Sequence, residues 1–431
     1  MSTAPPGPAG DLSRLISERR AAITGLCLQL GNLPDLCGEE IAVSRALAEC
    51  YAAAGLEPRL QHLSSTSANV IASWSGDVGG PGARTLILNS HLDTEGGTPA
   101  GPAAMARRLR GTWREDDLLI GKGLINAKVH LVAQLHAVQA LMQAGFVPAG
   151  EVILTGTAQE TGDCPAYGSG ADEWSSPHGH EGTGARWLIE NGVVGDFALV
   201  GEPTGFAVCT AQAGYLRLRV RVTGMMPYTP FLARDPATGL GGNPVEAAAE
   251  VTRAIAAWAV RYEAASSTDV PGGRVVPRAQ VQEIRSSFPA CTNHADHCDI
   301  FVDVRTPPAS PPMPVVRDLA GQLRAAGHDV VVQCCGYRRG YLSTGAEQLA
   351  AAVRDGHRDV FGADPAPPWP AQMSMWQDTN AFNEAGIPSV SYGIRPRPEQ
   401  HTREGIRALH LDDLLALVQV YARVIQRMCG G

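Results

Sequence analysis

The 431-residue sequence lacks any run of ~18 consecutive apolar residues, and its first twenty residues contain no apolar core of signal-peptide length. A membrane-spanning helix and a secretory leader are therefore not expected, and the expected location is the cytoplasm. An excess of basic residues is also missing. Lys and Arg number 35 against 43 Asp and Glu, for a net charge of -8, which argues against a nucleic-acid footprint and for small-molecule partners. The ten cysteines follow no framework spacing, so free thiols are expected. Cys291, His294, His297 and Cys298 lie close together, but their spacing matches no standard zinc module and Ala, Asp and Thr interleave them, so they are not counted as a metal site.

What is present is the composition of a folded protein too long for one core: 44% hydrophobic, 18% charged, with 48 glycines and 31 prolines for its loops. Apolar residues recur with helical spacing over 11–30 and 39–54. Two β-rich segments, 68–74 and 84–90, follow between Gly/Pro clusters. A helix over 125–145 ends at Gly145, and then come the strand EVILTGT, the helix GARWLIENG and the strand DFALVGEPT. Alternating helices and apolar strands predict an α/β domain with a mostly parallel sheet covered on both faces.

Near residue 207 the pattern changes. TAQAGYLRLRVRVTG alternates like a half-exposed strand. A helix follows from Pro244 to about Tyr262, then a strand near 275–287, the strand CDIFVDVRTPP, a helix over 313–326 and the strand DVVVQCC. This predicts an inserted α+β, ferredoxin-like unit over 207–336. The α/β pattern resumes with a helix over 344–360, the strand PSVSYG and a helix over 410–428. The catalytic domain is thus expected to comprise 1–206 and 337–431.

Four segments place ligand-type residues at strand ends or in the loops that follow, where open parallel sheets build their sites. NSHLDT offers His91 and Asp93, TAQETG offers Glu160, LVGEPT offers Glu202, and RPEQHTREG offers His401. Together with GKG and its following lysine, GGNP, VDVR and YG, these motifs run in order over nearly the whole chain. In this the sequence resembles the two-zinc amidohydrolases and exopeptidases that include acetylornithine deacetylase, succinyl-diaminopimelate desuccinylase, aminoacylase and glutamate carboxypeptidase. The resemblance implies zinc, as one ion or two, with His91 and Glu202 on one metal and Glu160 and His401 on the other. It implies that Asp93 orients His91. It further implies a substrate-binding role for Arg305, Asn293 and Asp378, and a homodimer formed through the inserted domain.

The chain departs from that pattern at three positions. The bridging aspartate is replaced by Asn126, whose neutral amide leaves the repulsion between two divalent ions uncompensated. Gln159 stands where relatives carry the general-base glutamate, and it cannot accept and return a proton; such a loss costs roughly 10²- to 10⁴-fold. Tyr228 replaces a histidine that holds the substrate carbonyl oxygen from the neighbouring subunit, and a phenol can still donate there. The 163–181 segment is longer than the family turn and carries His178 and His180, and Asn380 follows Asp378 where arginine is commoner. A repurposed enzyme for an amino-acid-like or N-acyl amino acid substrate is expected, making or transferring an amide, cyclising or eliminating in specialised biosynthesis. The alternatives are a conventional zinc-dependent deacylase or carboxypeptidase and an inactive homologue that only binds.

Overall fold

A computed structural model describes residues 8–76, 80, 82–94, 111–121, 123–161, 182–237, 241–287, 295–395 and 407–430. The chain divides into two compact units. The first comprises Met1–Thr210, Ser343–Pro368 and Gln377–Gly431, and the second comprises Ala211–Leu342 and Trp369–Trp376.

The first unit is built on a six-stranded sheet in the order Arg59–His62, Ala68–Ser75, Gly150–Thr157, Arg84–His91, Phe197–Val200, Ser389–Ser391. Three of its ladders are parallel. The two at the Arg59–His62 edge are antiparallel. The apolar runs in these strands follow from burial on both faces. Leu86 and Leu88 join one core with Val152, Leu154 and Leu199, while the intervening Ile87 joins Ile153, Ala198 and Val200 on the other face. Helices Pro8–Glu18, Arg20–Gly31, Ile41–Ala53, Val129–Gln143, Glu347–Phe361 and Leu411–Cys429 supply the first core. Thr183–Glu190 and Thr379–Glu384 contribute to the second.

The region expected to be helical over 11–30 is two helices, with the break at Arg19. The helix expected over 125–145 begins as a π-helical turn, Leu124–Lys128, before becoming regular over Val129–Gln143. Such turns often occur at functional sites, where they shift side chains off the regular helical spacing. Just before this segment, Trp113–Glu115 and Leu118–Ile120 form a short three-stranded sheet with the distant Ala408–His410.

The second unit contains a four-stranded antiparallel sheet ordered Ala279–Ser286, His297–Thr306, Gly214–Thr223, Val330–Arg338. Helices Pro244–Ser266 and Pro312–Ala325 alternate with the strands in a βαββαβ sequence. The strand order, second, third, first, fourth, is ferredoxin-like. One face carries Leu216, Leu218, Val220, Ile300 and Val302 into the core with Trp258 and Leu319. The strand Gly214–Thr223, expected to be half-exposed, is buried along most of its length. Its polar residues are arginines that lie over the sheet. Arg221 donates to both Asp299 oxygens at 2.7 Å, Arg219 to Gln333 Oε1 at 2.7 Å and Arg217 to Gln282 Oε1 at 2.7 Å. Polar alternation therefore marks a charged, paired face here.

Candidate metal centre

The C-terminal ends of the parallel strands gather the ligand-type residues. His91 ends Arg84–His91; Asp93 lies two residues beyond it, Gln159 and Glu160 just beyond Thr157, and Glu202 two residues beyond Val200. His91 Nε2 lies 3.8 Å from Glu160 Oε2 and 3.7 Å from Glu202 Oε1. These separations are long for hydrogen bonds, and Glu202 Oε1 is buried with no hydrogen-bond partner. They suit ligands of a common ion, whose N and O donors at ~2.0–2.2 Å would stand roughly 3.3–3.6 Å apart. Burial alone would lower the His91 pKa, but Glu160, Asp93 and Glu202 outweigh it and hold the imidazole at about 10. Burial pushes Glu202 up to about 7 and Glu160 well above the usual carboxylate range. Three buried groups with opposed charge preferences form the donor set that a divalent cation would satisfy.

Asp93 is fully buried and serves the loop as well as the histidine. Its Oδ1 accepts the Glu160 amide at 3.0 Å and lies 3.4 Å from His91 Nδ1; its Oδ2 accepts the Thr161 amide at 2.9 Å and also the Thr161 hydroxyl. Despite burial, these donors hold its carboxyl below the ordinary range. Asp378, also buried, accepts Thr157 Oγ1 at 2.6 Å and Asn89 Nδ2 at 3.1 Å through Oδ2, while its Oδ1 has no partner. Burial raises its pKa.

Gln159 adopts φ 55°, in the left-handed region that costs a non-glycine residue about 1–2 kcal/mol. Two contacts hold it there: its amide N–H donates to Glu40 Oε1 at 3.1 Å, and its Nε2 donates to Ser67 Oγ at 3.0 Å. Glu40 was not singled out in the sequence. It precedes the helix Ile41–Ala53, its Oε1 also accepts the Gly38 amide at 2.6 Å, and burial followed by the charge of Asp93 pushes its carboxyl up to about 7. Donor atoms of Cys37, Glu40 and Asp93 lie within 4.8 Å of one another.

Asn126 occupies the π-helical turn, and its Oδ1 accepts a hydrogen bond from Arg407 Nη1 at 2.7 Å. Lys128, on the same turn, is fully buried; it pairs with Asp35 Oδ2 and donates to Thr94 Oγ1 at 3.2 Å. Arg407 and Asp35 carried no sequence signal, since neither belongs to a recognisable motif. The functional proximity of Lys128 was visible only as the lysine after GKG.

Arg305 and Tyr228 belong to the second unit. Arg305 is half-buried, 3.4 Å from Asp303 Oδ2, with its guanidinium carbon 5.6 Å from the Tyr215 ring centroid. Tyr228 is 63% exposed and lies beside Phe231, with ring centroids 6.0 Å apart. His401, Asn293, Cys291, His294 and the 163–181 segment with His178 and His180 lie outside the described residues. His297 Nδ1 is 2.6 Å from Asp296 Oδ1, and Cys298 is buried in the core of the second unit.

A strand-end cluster of one histidine and two acids on a parallel sheet, in a chain with an inserted ferredoxin-like unit, defines a metallohydrolase-type architecture. Residues 87–427 match the family described as Peptidase family M20/M25/M40, and the chain belongs to that family. Its members are metal-dependent peptidases and amidohydrolases. The fold is similar to that of the di-peptidase Dug1p of Saccharomyces cerevisiae, with a TM-score of 0.68 at 9% identity over 97% of this chain and 98% of that one. Human carnosine dipeptidase 1 matches with a TM-score of 0.67 at 12% identity over 99% of both chains. Aminopeptidase PepT from Bacillus cereus matches with a TM-score of 0.63 at 15% identity over 95% and 98%.

Proposed function

We propose that this protein is a divergent member of its family that acts on an amino-acid-like or N-acyl amino acid substrate without activating water for hydrolysis. The reaction classes open to it are amide formation, acyl transfer, cyclisation and elimination, in a biosynthetic setting. The observation that carries this reading is the contrast between Gln159 and its surroundings. His91, Glu160 and Glu202 keep a spacing suited to one ion, zinc in this proposal, whereas the residue beside Glu160 presents an amide engaged with Ser67. An amide has no basic lone pair to take a proton and no labile proton to return. A bound divalent ion would supply Lewis-acid polarisation of a substrate carbonyl. Around it, Asp93 in this proposal orients His91, whose Nδ1 lies 3.4 Å from Asp93 Oδ1, and the same carboxylate accepts the Glu160 amide.

Substrate contacts from Asp378, Arg305 and Asn293, and a hydrogen bond from Tyr228, complete the proposal. We place the protein in the cytoplasm as a homodimer formed through the inserted unit. The eight described cysteines are all thiols, and no helix among the described residues is long and apolar enough to cross a membrane. The free thiols suit a reducing compartment.

The test restores the lost carboxylates. Asn126→Asp with Gln159→Glu is expected to raise hydrolysis of a panel of N-acyl amino acids by at least ~10² over the parent at equal metal loading, the lower end of what general-base catalysis supplies. A parent that already hydrolyses the panel as fast as the double variant would sink the proposal.

A further inference from the structure

Asn126 is not merely a weakened ligand, because its one good oxygen donor already has a cation. Arg407 Nη1 donates to Asn126 Oδ1 at 2.7 Å. The backbone holds that arginine in place from the same segment: the Arg407 carbonyl accepts the Gly121 amide at 3.0 Å, and the following residues Ala408–His410 pair with Leu118–Ile120. The segment that carries Asn126 therefore also anchors the guanidinium that meets it.

We propose that Arg407 takes the place of a second metal ion, so that this centre holds a single divalent cation beside a fixed guanidinium. This rests on the reading above that His91, Glu160 and Glu202 hold the ion. A carboxylate at 126 could face two cations with two anionic oxygens; the amide presents one neutral oxygen, and the arginine uses it. The amide's other end is an N–H₂ donor, which no cation would accept as a ligand.

The charges agree with the geometry. Removing a divalent ion together with a bridging carboxylate takes away one net positive charge, and one guanidinium restores it. The turn that carries Asn126 lies against the strand end that carries His91, where Ser90 Oγ donates to the Ala127 carbonyl at 3.2 Å. A guanidinium stays protonated at all working pH values and cannot dissociate, unlike an ion. The Asn126–Arg407 pair thus leaves room for one metal while keeping a cation next to the remaining ligands.

The experiment counts ions. Purified full-length protein is stripped with chelator, titrated with Co²⁺, and analysed by calorimetry, metal content and electron paramagnetic resonance, which reports spin coupling between neighbouring Co²⁺ ions. The parent is expected to saturate at one ion per chain with no coupling. Asn126→Asp combined with Arg407→Ala is expected to take up a second ion and show coupling. A parent that binds two coupled ions overturns this inference while leaving the proposed function standing. A parent that binds none overturns both. A folded double variant that stays at one ion also overturns the inference, and if that variant does not fold, the parent count decides.

Discussion

At the scale of single residues, the site is surrounded by side chains whose ionisation is set by what they touch. His130 is the clearest case. Its Nδ1 lies 2.9 Å from the Ala127 carbonyl and its Nε2 accepts the Ile394 amide at 3.3 Å, an arrangement that requires the neutral ring with its proton on Nδ1. Burial lowers its pKa from 6.5 to about 3. Because the unfolded chain binds the proton more readily than the folded one, this histidine contributes stability that is fully present above pH 6.5 and is lost progressively as pH falls toward about 3. Thermal melts of the metal-free protein are expected to drop through that window, with a shallower drop in His130→Gln. Equal slopes for the two proteins would count against the assignment. Gln159 and Glu40 show the other side of the same scale. Gln159 stood out in the sequence because ETG follows it directly, whereas Glu40 comes from a helix start 119 residues away. No local pattern announces a contact of that span.

At the scale of elements, the π-helical turn is fixed by a buried ion pair. Lys128 is fully buried and meets Asp35, whose side chain is 14% exposed, while Thr94 donates its hydroxyl to Asp35 Oδ2 at 2.5 Å. Removing one partner of a buried pair strands the other charge. Lys128→Ala is expected to cost about 3–5 kcal/mol in denaturant unfolding, whereas Lys128→Met with Asp35→Leu restores most of it. A single variant within about 1 kcal/mol of the parent would show that Asp35 finds solvent instead. Helix and strand positions were largely readable from apolar periodicity, as at Gly150–Thr157 and Leu411–Cys429. The turn was not, because a π-helical turn and a regular helix share the same apolar residues and differ by one inserted position. The YG motif was readable only as a motif; its reason is steric. A Cβ on Gly393 would stand 2.2 Å from His130 Nε2 and 2.3 Å from the Glu202 carbonyl oxygen, so only glycine lets that strand end pass beside Glu202. Mixed pairing at the Arg59–His62 edge also escaped the sequence reading, since apolar runs mark burial and not strand direction.

At the scale of the whole molecule, the inserted unit presents apolar surface of the kind that interfaces cover. Met225 is 79% exposed, Tyr228 63% and Phe231 79%, and the three fall within seven residues of chain following the strand Gly214–Thr223. Exposed aromatics grouped this closely fit the core of an interface better than a solvated turn. Their placement in the unit that the family resemblance assigns to dimerisation supports a second copy of this chain as the occupant. Tyr228 would then be held by the partner instead of lying free in solvent. Light scattering is expected to give a dimer mass for the parent. Phe231→Glu places a charge among desolvated apolar groups and is expected to weaken dimerisation by ~30- to 1000-fold, the range that loss of an interface hot spot brings. The second unit should keep its melting behaviour in that variant, because Phe231 lies outside its core. A parent that is monomeric at micromolar concentration would remove the route by which Tyr228 is proposed to serve a neighbouring site. A dimer that Phe231→Glu leaves intact would move the interface to another face of the molecule.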